Sequence, residues 1–167
     1  MNDELRLAEL RDQPEICRLI RERIAWMDRV GIRQWNVMDY WQAYPETYYE
    51  AQVRAKRFYV LDQAEGGGLA GAAALLEADG RWTDAGSIPA CYVHHLVTDV
   101  REKGAGRIIL TRTEALARRW GKTRVRLDCA ADNARLNQYY EGQGYRLAGT
   151  CQEGPYAGNL REKLLEG

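Results

Sequence analysis

One short segment of the chain is typical of an anion-binding loop: Arg101-Glu102-Lys103-Gly104-Ala105-Gly106. A stretch with the pattern of a strand precedes it, and an amphipathic stretch typical of a helix follows it. Glycines let the backbone turn tightly and approach a ligand, and the first amides of a helix point at an anion that the helix dipole also favours. Neither Gly-x-x-x-x-Gly-Lys-Ser/Thr nor Gly-x-Gly-x-x-Gly is present. The segment therefore predicts either a phosphate site or an ordinary strand-to-helix turn.

Positive charge is concentrated around this segment. Residues 101–126 contain nine basic side chains and only two acidic ones, whereas the whole chain has 24 of each and no net charge. The nine are Arg101, Lys103, Arg107, Arg112, Arg118, Arg119, Lys122, Arg124 and Arg126. Because the charge coincides with the loop amides, we predict a site for a multiply charged phosphate ligand. A solvated helix face is the alternative.

Length and composition are those of one globular domain. The chain has 167 residues, of which 46% are apolar and 29% charged, so we expect a single domain over 1–167. Zero net charge argues against attachment to nucleic acid or membrane through bulk charge. No apolar stretch approaches the ~20 residues of a membrane span, and the acidic start is unlike a secretory signal. We therefore expect a cytoplasmic protein.

The cysteines form no metal or disulfide pattern. Cys17, Cys91, Cys129 and Cys151 lie far apart, and no Cys-x-x-Cys pair occurs. This spacing fits neither a zinc site nor a dense disulfide framework. We expect reduced thiols and no bound metal.

The elements that would position the loop alternate between strands and helices. Periodicity predicts strands over residues 4–9, 58–61, 69–76, 91–98, 124–129, 145–150 and 160–165. Helices are predicted over residues 14–30, 45–57, 105–120 and 132–141, with Asp12 and Asp132 as caps. The mixed order predicts an α/β domain.

Two motifs at this spacing resemble a known family. Residues 91–149 resemble the core of the GNAT superfamily of N-acetyltransferases, because Arg101-x-x-Gly104-x-Gly106 matches its Arg/Gln-x-x-Gly-x-Gly/Ala loop. Asn133 precedes Tyr140 by seven residues, and Tyr-Glu-x-x-Gly-Tyr then ends at Tyr145, which is similar to the family's second signature. The resemblance implies an α/β (α+β) fold with a mixed, mostly antiparallel sheet flanked by helices. A splayed parallel strand pair would form a wedge for coenzyme A.

The resemblance also implies acetyl-CoA as co-substrate and a set of binding residues. The pantetheine arm would pair with the strand at Leu96, Val97 and Thr98, and the side-chain amide of Asn133 would hydrogen-bond the arm. The pyrophosphate would lie on the loop that Arg101 begins, on the amides of Glu102, Lys103, Gly104, Ala105, Gly106 and Arg107.

The resemblance places Tyr140 at the position of the general acid. A phenol with a pKa of about 10 suits a thiolate leaving group, which must be protonated as it departs. Packing beneath the helix is the alternative role for Tyr140. Its neighbour Tyr139, about 100° around the helix, is expected to pack in the core.

The general base is less determined. His94 and His95 are the only histidines, and strand alternation would send them to opposite faces. Imidazole titrates near pH 6.5, which suits a base, so one of them would face the substrate, directly or through water. Asp99 and Glu46 are rivals, a buried structural histidine is the alternative reading, and a chain of waters would make a single base unnecessary.

An aromatic segment at 32–49 is the candidate acceptor site. It contains Trp35, Tyr40, Trp41, Tyr44, Tyr48 and Tyr49, with Asp39, Glu46 and Glu50 within or beside it. Aromatic faces and carboxylates suit a cationic amine, although a core cap or a homodimer contact would use the same residues. We expect a small-molecule or peptide amine as acceptor, and neither nucleic acid nor membrane as partner. The alternative function is a non-catalytic sensor of CoA or acyl-CoA.

Overall fold

A seven-stranded sheet forms the centre of the computed structural model, which describes residues 3–166. Its strands are β1 Leu5–Leu7, β2 Phe58–Asp62, β3 Leu69–Leu76, β4 Ala90–Thr98, β5 Arg124–Ala130, β6 Arg146–Glu153 and β7 Tyr156–Leu164. Their order is β1-β2-β3-β4-β5-β7-β6, and every neighbouring pair is antiparallel except β4 and β5. The predicted mixed, mostly antiparallel sheet is confirmed. Residues 1, 2 and 167, part of the predicted single domain, lie outside the described residues.

Helices cover both faces of the sheet. They are α1 Gln13–Val30, α2 Tyr40–Ala43, α3 Glu46–Arg54, α4 Ala105–Arg119 and α5 Ala134–Gly142. On one face α1 and α3 pack through side chains such as Ile20 and Val53, while α4 and α5 pack on the other through Ile109 and Tyr140. Within residues 3–166, no helix has the length and apolar composition needed to cross a bilayer.

Two predicted helix caps differ from the structure. Asp12 precedes α1, but its carboxylate lies 2.8 Å from the guanidinium of Arg6 and makes no hydrogen bond to the helix. At α5 the prediction of Asp132 is wrong, because the cap is Asn133, whose side-chain oxygen accepts the Leu136 N–H at 3.0 Å. In both cases the residue type suits a cap, but it does not determine whether the side chain hydrogen-bonds the helix.

Element boundaries differ most in the second helical segment and the last strand. The helix predicted over 45–57 ends at Arg54, because the chain turns at Lys56, which has φ +59°. A separate short helix, α2, precedes it. The last strand begins at Tyr156, ahead of the predicted start at Leu160, because β7 pairs with both β5 and β6.

Gly71 of β3 leaves no room for a side chain beneath α4. A Cβ there would lie 2.6 Å from the Cδ1 of Ile109 and 2.9 Å from the backbone oxygen of Val97. Because a backbone atom cannot rotate away, we expect Gly71→Ala to lower the free energy of unfolding by about 1–3 kcal/mol. Urea unfolding measures it, with Gly86→Ala as control, since a Cβ at Gly86 meets open space. Equal urea midpoints for the two variants would contradict this packing.

Candidate active site

A wedge opens between the two parallel strands. β4 and β5 pair only from Ala90 opposite Arg124 to Tyr92 opposite Arg126, although β4 continues to Thr98. Beyond that point the β4 edge that faces β5 has no strand partner among residues 3–166. Unpaired strand edges readily pair with an extended chain of amides. The splayed parallel pair predicted from the sequence is confirmed.

A bulge interrupts β4 at the wedge. Ala72 pairs with Val97 while Ala74 pairs with His94, so one β3 residue lies opposite two residues of β4. His95 lies in this bulge and has φ +51°, a left-handed conformation that histidine adopts more often than most side chains. An inserted residue reverses the alternation of the side chains that follow it.

The bulge brings the two histidines together. The ring centroids of His94 and His95 are 6.0 Å apart, and both rings line the cleft at the mouth of the wedge. The expectation that strand alternation sends them to opposite faces is therefore wrong. The bulge is the physical reason.

His95 is held on both ring nitrogens. Its Nδ1 lies 2.7 Å from the Tyr40 hydroxyl and its Nε2 lies 3.1 Å from the Tyr48 hydroxyl. The rings of Tyr44 and Phe58 also pack against it. Burial, with a smaller effect of the neighbouring positive charges, lowers the pKa of His95 to about 3. His95 therefore stays neutral and has no free nitrogen for a substrate proton.

His94 is held on one ring nitrogen only. Its Nε2 lies 2.9 Å from the Oδ2 of Asp79, while its Nδ1 makes no hydrogen bond to any residue in the described part of the chain. The two histidines, equivalent in the sequence, thus differ in the structure. Only His94 has a ring nitrogen available in the cleft.

Tyr140 lies between the core and the cleft. Its side chain is buried and packs edge-on against Tyr145, whereas its hydroxyl makes no hydrogen bond within residues 3–166 and is not sealed from solvent. Burial, with smaller contributions from Cys129, Tyr139 and Asp128, raises the pKa of Tyr140. The hydroxyl is therefore a protonated, unpaired donor at the cleft. Tyr139 is 38% exposed, so the expectation that it packs in the core is wrong.

The predicted phosphate loop presents unpaired amides. Gly104 has φ +85° and precedes the first residue of α4. The Glu102 N–H donates to the Asp99 carbonyl oxygen at 3.0 Å, whereas the N–H groups of residues 103–107 have no acceptor within the described residues. Lys103 and Arg107 are exposed beside them. The loop thus combines free donors with positive charge.

The Arg101 side chain is exposed but pairs with a buried carboxylate. Its guanidinium lies 2.8 Å from the buried carboxylate of Asp99, which also accepts the Arg101 N–H. These hydrogen bonds hold the pKa of Asp99 at about 2, well below its usual value, despite its burial. Asp99 thus anchors the loop in an ion pair, which leaves it poorly suited to act as a base.

The nine basic residues do not form one patch. Arg126 is 1% exposed and bonds Asp84 and Glu162, and Arg124 also pairs with Glu162. Arg112 pairs with Asp3. The prediction of a single basic unit was too broad, because sequence proximity does not show which face of β5 or α4 a side chain occupies.

Half of the predicted aromatic residues line the cleft, whereas Trp41, Tyr48, Tyr49 and the predicted carboxylates do not. Trp35, Tyr40 and Tyr44 line it. Asp39 instead caps α2, and Glu46 and Glu50 pair with arginines on exposed helix surfaces. Glu46, a rival base in the sequence, is thus absent from the residues that line the cleft.

Other charged residues, missed in the sequence, take their place. Arg81 lies between Asp128 and Glu153, at 3.2 and 2.7 Å, and the Tyr156 hydroxyl donates to Asp128 at 2.6 Å. All four line the cleft. A signal for Asp128 existed, since it lies between Leu127 and Cys129 in a central strand, where carboxylates are rare.

Comparison with known proteins identifies the family. Residues 19–145 match the model of the Acetyltransferase (GNAT) family. This chain belongs to the GNAT family. One curated relative, described as the uncharacterized N-acetyltransferase YesJ of Bacillus subtilis (strain 168), is 27% identical over 150 residues, which cover 86% of this chain and 81% of the relative.

Crystal structures of GNAT proteins share the fold. A GNAT acetyltransferase from Listeria monocytogenes superposes with a TM-score of 0.79 at 22% identity, covering 97% of this chain and 94% of that one. The PaiA N-acetyltransferase from Thermoplasma acidophilum, in complex with coenzyme A, gives 0.75 at 16% identity, covering 96% and 98%.

The remaining predicted CoA contacts of this GNAT chain lie along the wedge. Leu96 lines the cleft, whereas Val97 packs into the opposite core and the Thr98 hydroxyl accepts from Arg23 at 2.9 Å. The side-chain oxygen of Asn133 caps α5, and its Nδ2 has no partner in the described residues. The Thr98 carbonyl oxygen also accepts from Arg23 at 3.0 Å, whereas the Nδ2 of Asn133 keeps its N–H groups for a ligand.

Proposed function

We propose that this protein transfers the acetyl group of acetyl-CoA to an amine of a small-molecule or peptide acceptor. The observation that carries the proposal is the wedge, where an unpaired strand edge and the unpaired Tyr140 hydroxyl meet one cleft, and where free amides follow the end of β4. Membership of an acetyltransferase family supports the reaction class.

The chain offers CoA a matching set of donors. The amides of residues 103–107 and the positive end of α4 would hold the pyrophosphate, with Lys103 and Arg107 adding charge. The arm, itself a chain of amides, would pair with the backbone at residues 96–98 and with the Nδ2 of Asn133.

Acetyl transfer requires three proton movements. The thioester of the co-substrate supplies the acetyl group. An alkyl ammonium with a pKa of about 10.4 first loses one proton to solvent to become a nucleophile. The amine loses a second proton as it bonds to the acetyl carbon, and the Nδ1 of His94 is placed to accept it. The Tyr140 hydroxyl would protonate the sulfur as the carbon–sulfur bond breaks, and Tyr140 would recover its proton from solvent. The raised pKa of Tyr140 keeps this donor protonated at neutral pH.

The cleft favours a cationic acceptor. Among the described residues that line it, Asp128 and Glu153 exceed the single cation Arg81, and Trp35, Tyr40 and Tyr44 add aromatic rings. Cations bind both carboxylates and aromatic faces. We therefore propose an amine that carries positive charge and no carboxylate of its own.

The test is release of free thiol from acetyl-CoA with a panel of amines. We expect turnover with diamines or basic peptides, little with acidic amino acids, and no change on adding a chelator. Detection of co-purified CoA by mass spectrometry would report binding independently of turnover. Tight binding of acetyl-CoA without thiol release for any amine would favour a non-catalytic sensor.

A further inference from the structure

We propose that Asp79 is a positioning residue, which orients His94 so that its Nδ1 accepts the proton of the attacking amine. The proposal rests on the proposed acetyl transfer. Asp79 lies in the loop between β3 and β4, outside both motifs that the sequence shares with the family. The contact of Asp79 with His94 assigns this role.

The Asp79 carboxylate holds the histidine at a defined nitrogen. Its Oδ2 lies 2.9 Å from the Nε2 of His94, and the Asp79 side chain is only 9% exposed. Its Oδ1 accepts the Arg81 backbone N–H at 3.0 Å. Burial alone would raise the pKa of Asp79, but these hydrogen bonds outweigh it and lower the pKa, so the carboxylate stays ionised. An ionised carboxylate can only accept, so His94 must carry its proton on Nε2.

The consequence is a lone pair on the Nδ1 of His94. That nitrogen has no hydrogen-bond partner within residues 3–166 and is not sealed from solvent. Asp79 of the loop contacts His94, and the charged or titratable residues that line the cleft with His94 are Arg81 of the loop, His95 of β4, Asp128 of β5, Glu153 of β6, Tyr40, Tyr44, Tyr140 and Tyr156. Of these, Asp79 alone hydrogen-bonds the His94 ring.

The loop that carries Asp79 is clamped to the sheet. The Trp82 ring lies 4.2 Å from the guanidinium carbon of Arg126, and this buried guanidinium also bonds Asp84 at 2.8 Å. The backbone N–H of Trp82 donates to the backbone carbonyl oxygen of Asp79 at 3.1 Å. Asp79 is thus fixed from both its side chain and its backbone. Such preorganisation keeps a catalytic group in its productive geometry.

The proton balance is simple. As the amine nitrogen bonds to the acetyl carbon, its proton passes to Nδ1, and His94 becomes an imidazolium with both nitrogens protonated. The Asp79 carboxylate stabilises this cation without taking its proton. The imidazolium then returns the proton to water in the open cleft.

The test is Asp79→Asn in the full chain, with Glu77→Gln as the matched control. Both remove one carboxylate from the same loop, but Glu77 is 88% exposed and pairs with Lys122 rather than His94. Nitrogen-15 NMR of the two histidines reports the tautomer. We expect the Nε2-protonated form of His94 in the wild type and in Glu77→Gln, and a mixture in Asp79→Asn. We expect kcat to fall at least about tenfold in Asp79→Asn, with KM changed little, because general base catalysis is worth about 10²–10⁴-fold.

A double-mutant cycle separates positioning from a general disturbance of the loop. If Asp79 acts through His94, the variant with both Asp79→Asn and His94→Gln loses no more kcat than His94→Gln alone. The proposal would be overturned if the kcat losses of the two single variants multiply in the double variant. It would also be overturned if the His94 tautomer is unchanged in a folded Asp79→Asn protein. A wild type with no turnover would refute the proposed function instead, and the spectrum would still decide whether Asp79 orients His94.

Discussion

Tyr140→Phe is expected to lower kcat by about 10²–10⁴-fold while the dissociation constant of acetyl-CoA changes little. The substitution keeps the ring that packs against Tyr145 and removes only the hydroxyl, which makes no hydrogen bond within the described residues. Stability should therefore be nearly unchanged. The loss corresponds to about 3–5 kcal/mol of barrier, more than the ~1 kcal/mol of a typical neutral hydrogen bond.

The measurement is kcat with a good amine acceptor, beside calorimetry with acetyl-CoA. Tyr59→Phe is the control, because it removes a phenol hydroxyl at Trp120, outside the cleft. A loss under about fivefold with chemistry rate-limiting would show that Tyr140 only packs and that water or another side chain is the acid.

In the wild type, Tyr140 donates below its pKa, and burial raises that pKa. Its contribution should therefore persist through pH 9.

Gly104→Glu is expected to weaken acetyl-CoA binding by at least about 100-fold, or ~2.8 kcal/mol. Gly104 has φ +85° and stands directly before α4, where the free amides begin. A glutamate there is strained and places a negative charge against the site proposed for the pyrophosphate. At a separation of about 4 Å such a repulsion costs about 4 kcal/mol near a protein surface.

Gly121→Glu is a matched control at the other end of α4. Gly121 has φ +74°, and a Cβ there meets open space, so this variant carries a similar backbone strain and the same added charge. Calorimetry should show wild-type affinity for Gly121→Glu and a large loss for Gly104→Glu. Equal acetyl-CoA affinities for the two variants would contradict binding of the pyrophosphate at this loop.

Much of the architecture was predictable because it depends on local patterns. The strand at 69–76 and the helix that begins at Ala105 match the structure, since apolar periodicity and glycine positions determine such elements. The parallel pair β4 and β5 followed from the resemblance and is confirmed. The loop at residues 101–106 and Tyr140 were predicted as site residues from motif spacing, because the residues of each motif are close in the chain.

The carboxylates of the cleft were not predictable in this way. Asp128 and Glu153 meet Arg81 from separate strands, and Asp79 meets His94 from a loop. These pairs join residues 15 to 72 positions apart, so no local pattern marks them. The acidic residues beside the aromatic segment looked equally suitable in the sequence, yet they pair on exposed surfaces.

The sequence by itself determined the fold class, the loop and the position of Tyr140. Only the tertiary structure decided between the two histidines. They are adjacent and chemically identical, and period-two alternation predicts opposite faces for them. The register of β3 against β4 inserts a bulge, which turns both rings to one cleft and leaves one nitrogen free on His94 and none on His95. A register shift depends on pairing between distant strands, and a single strand's sequence does not contain it.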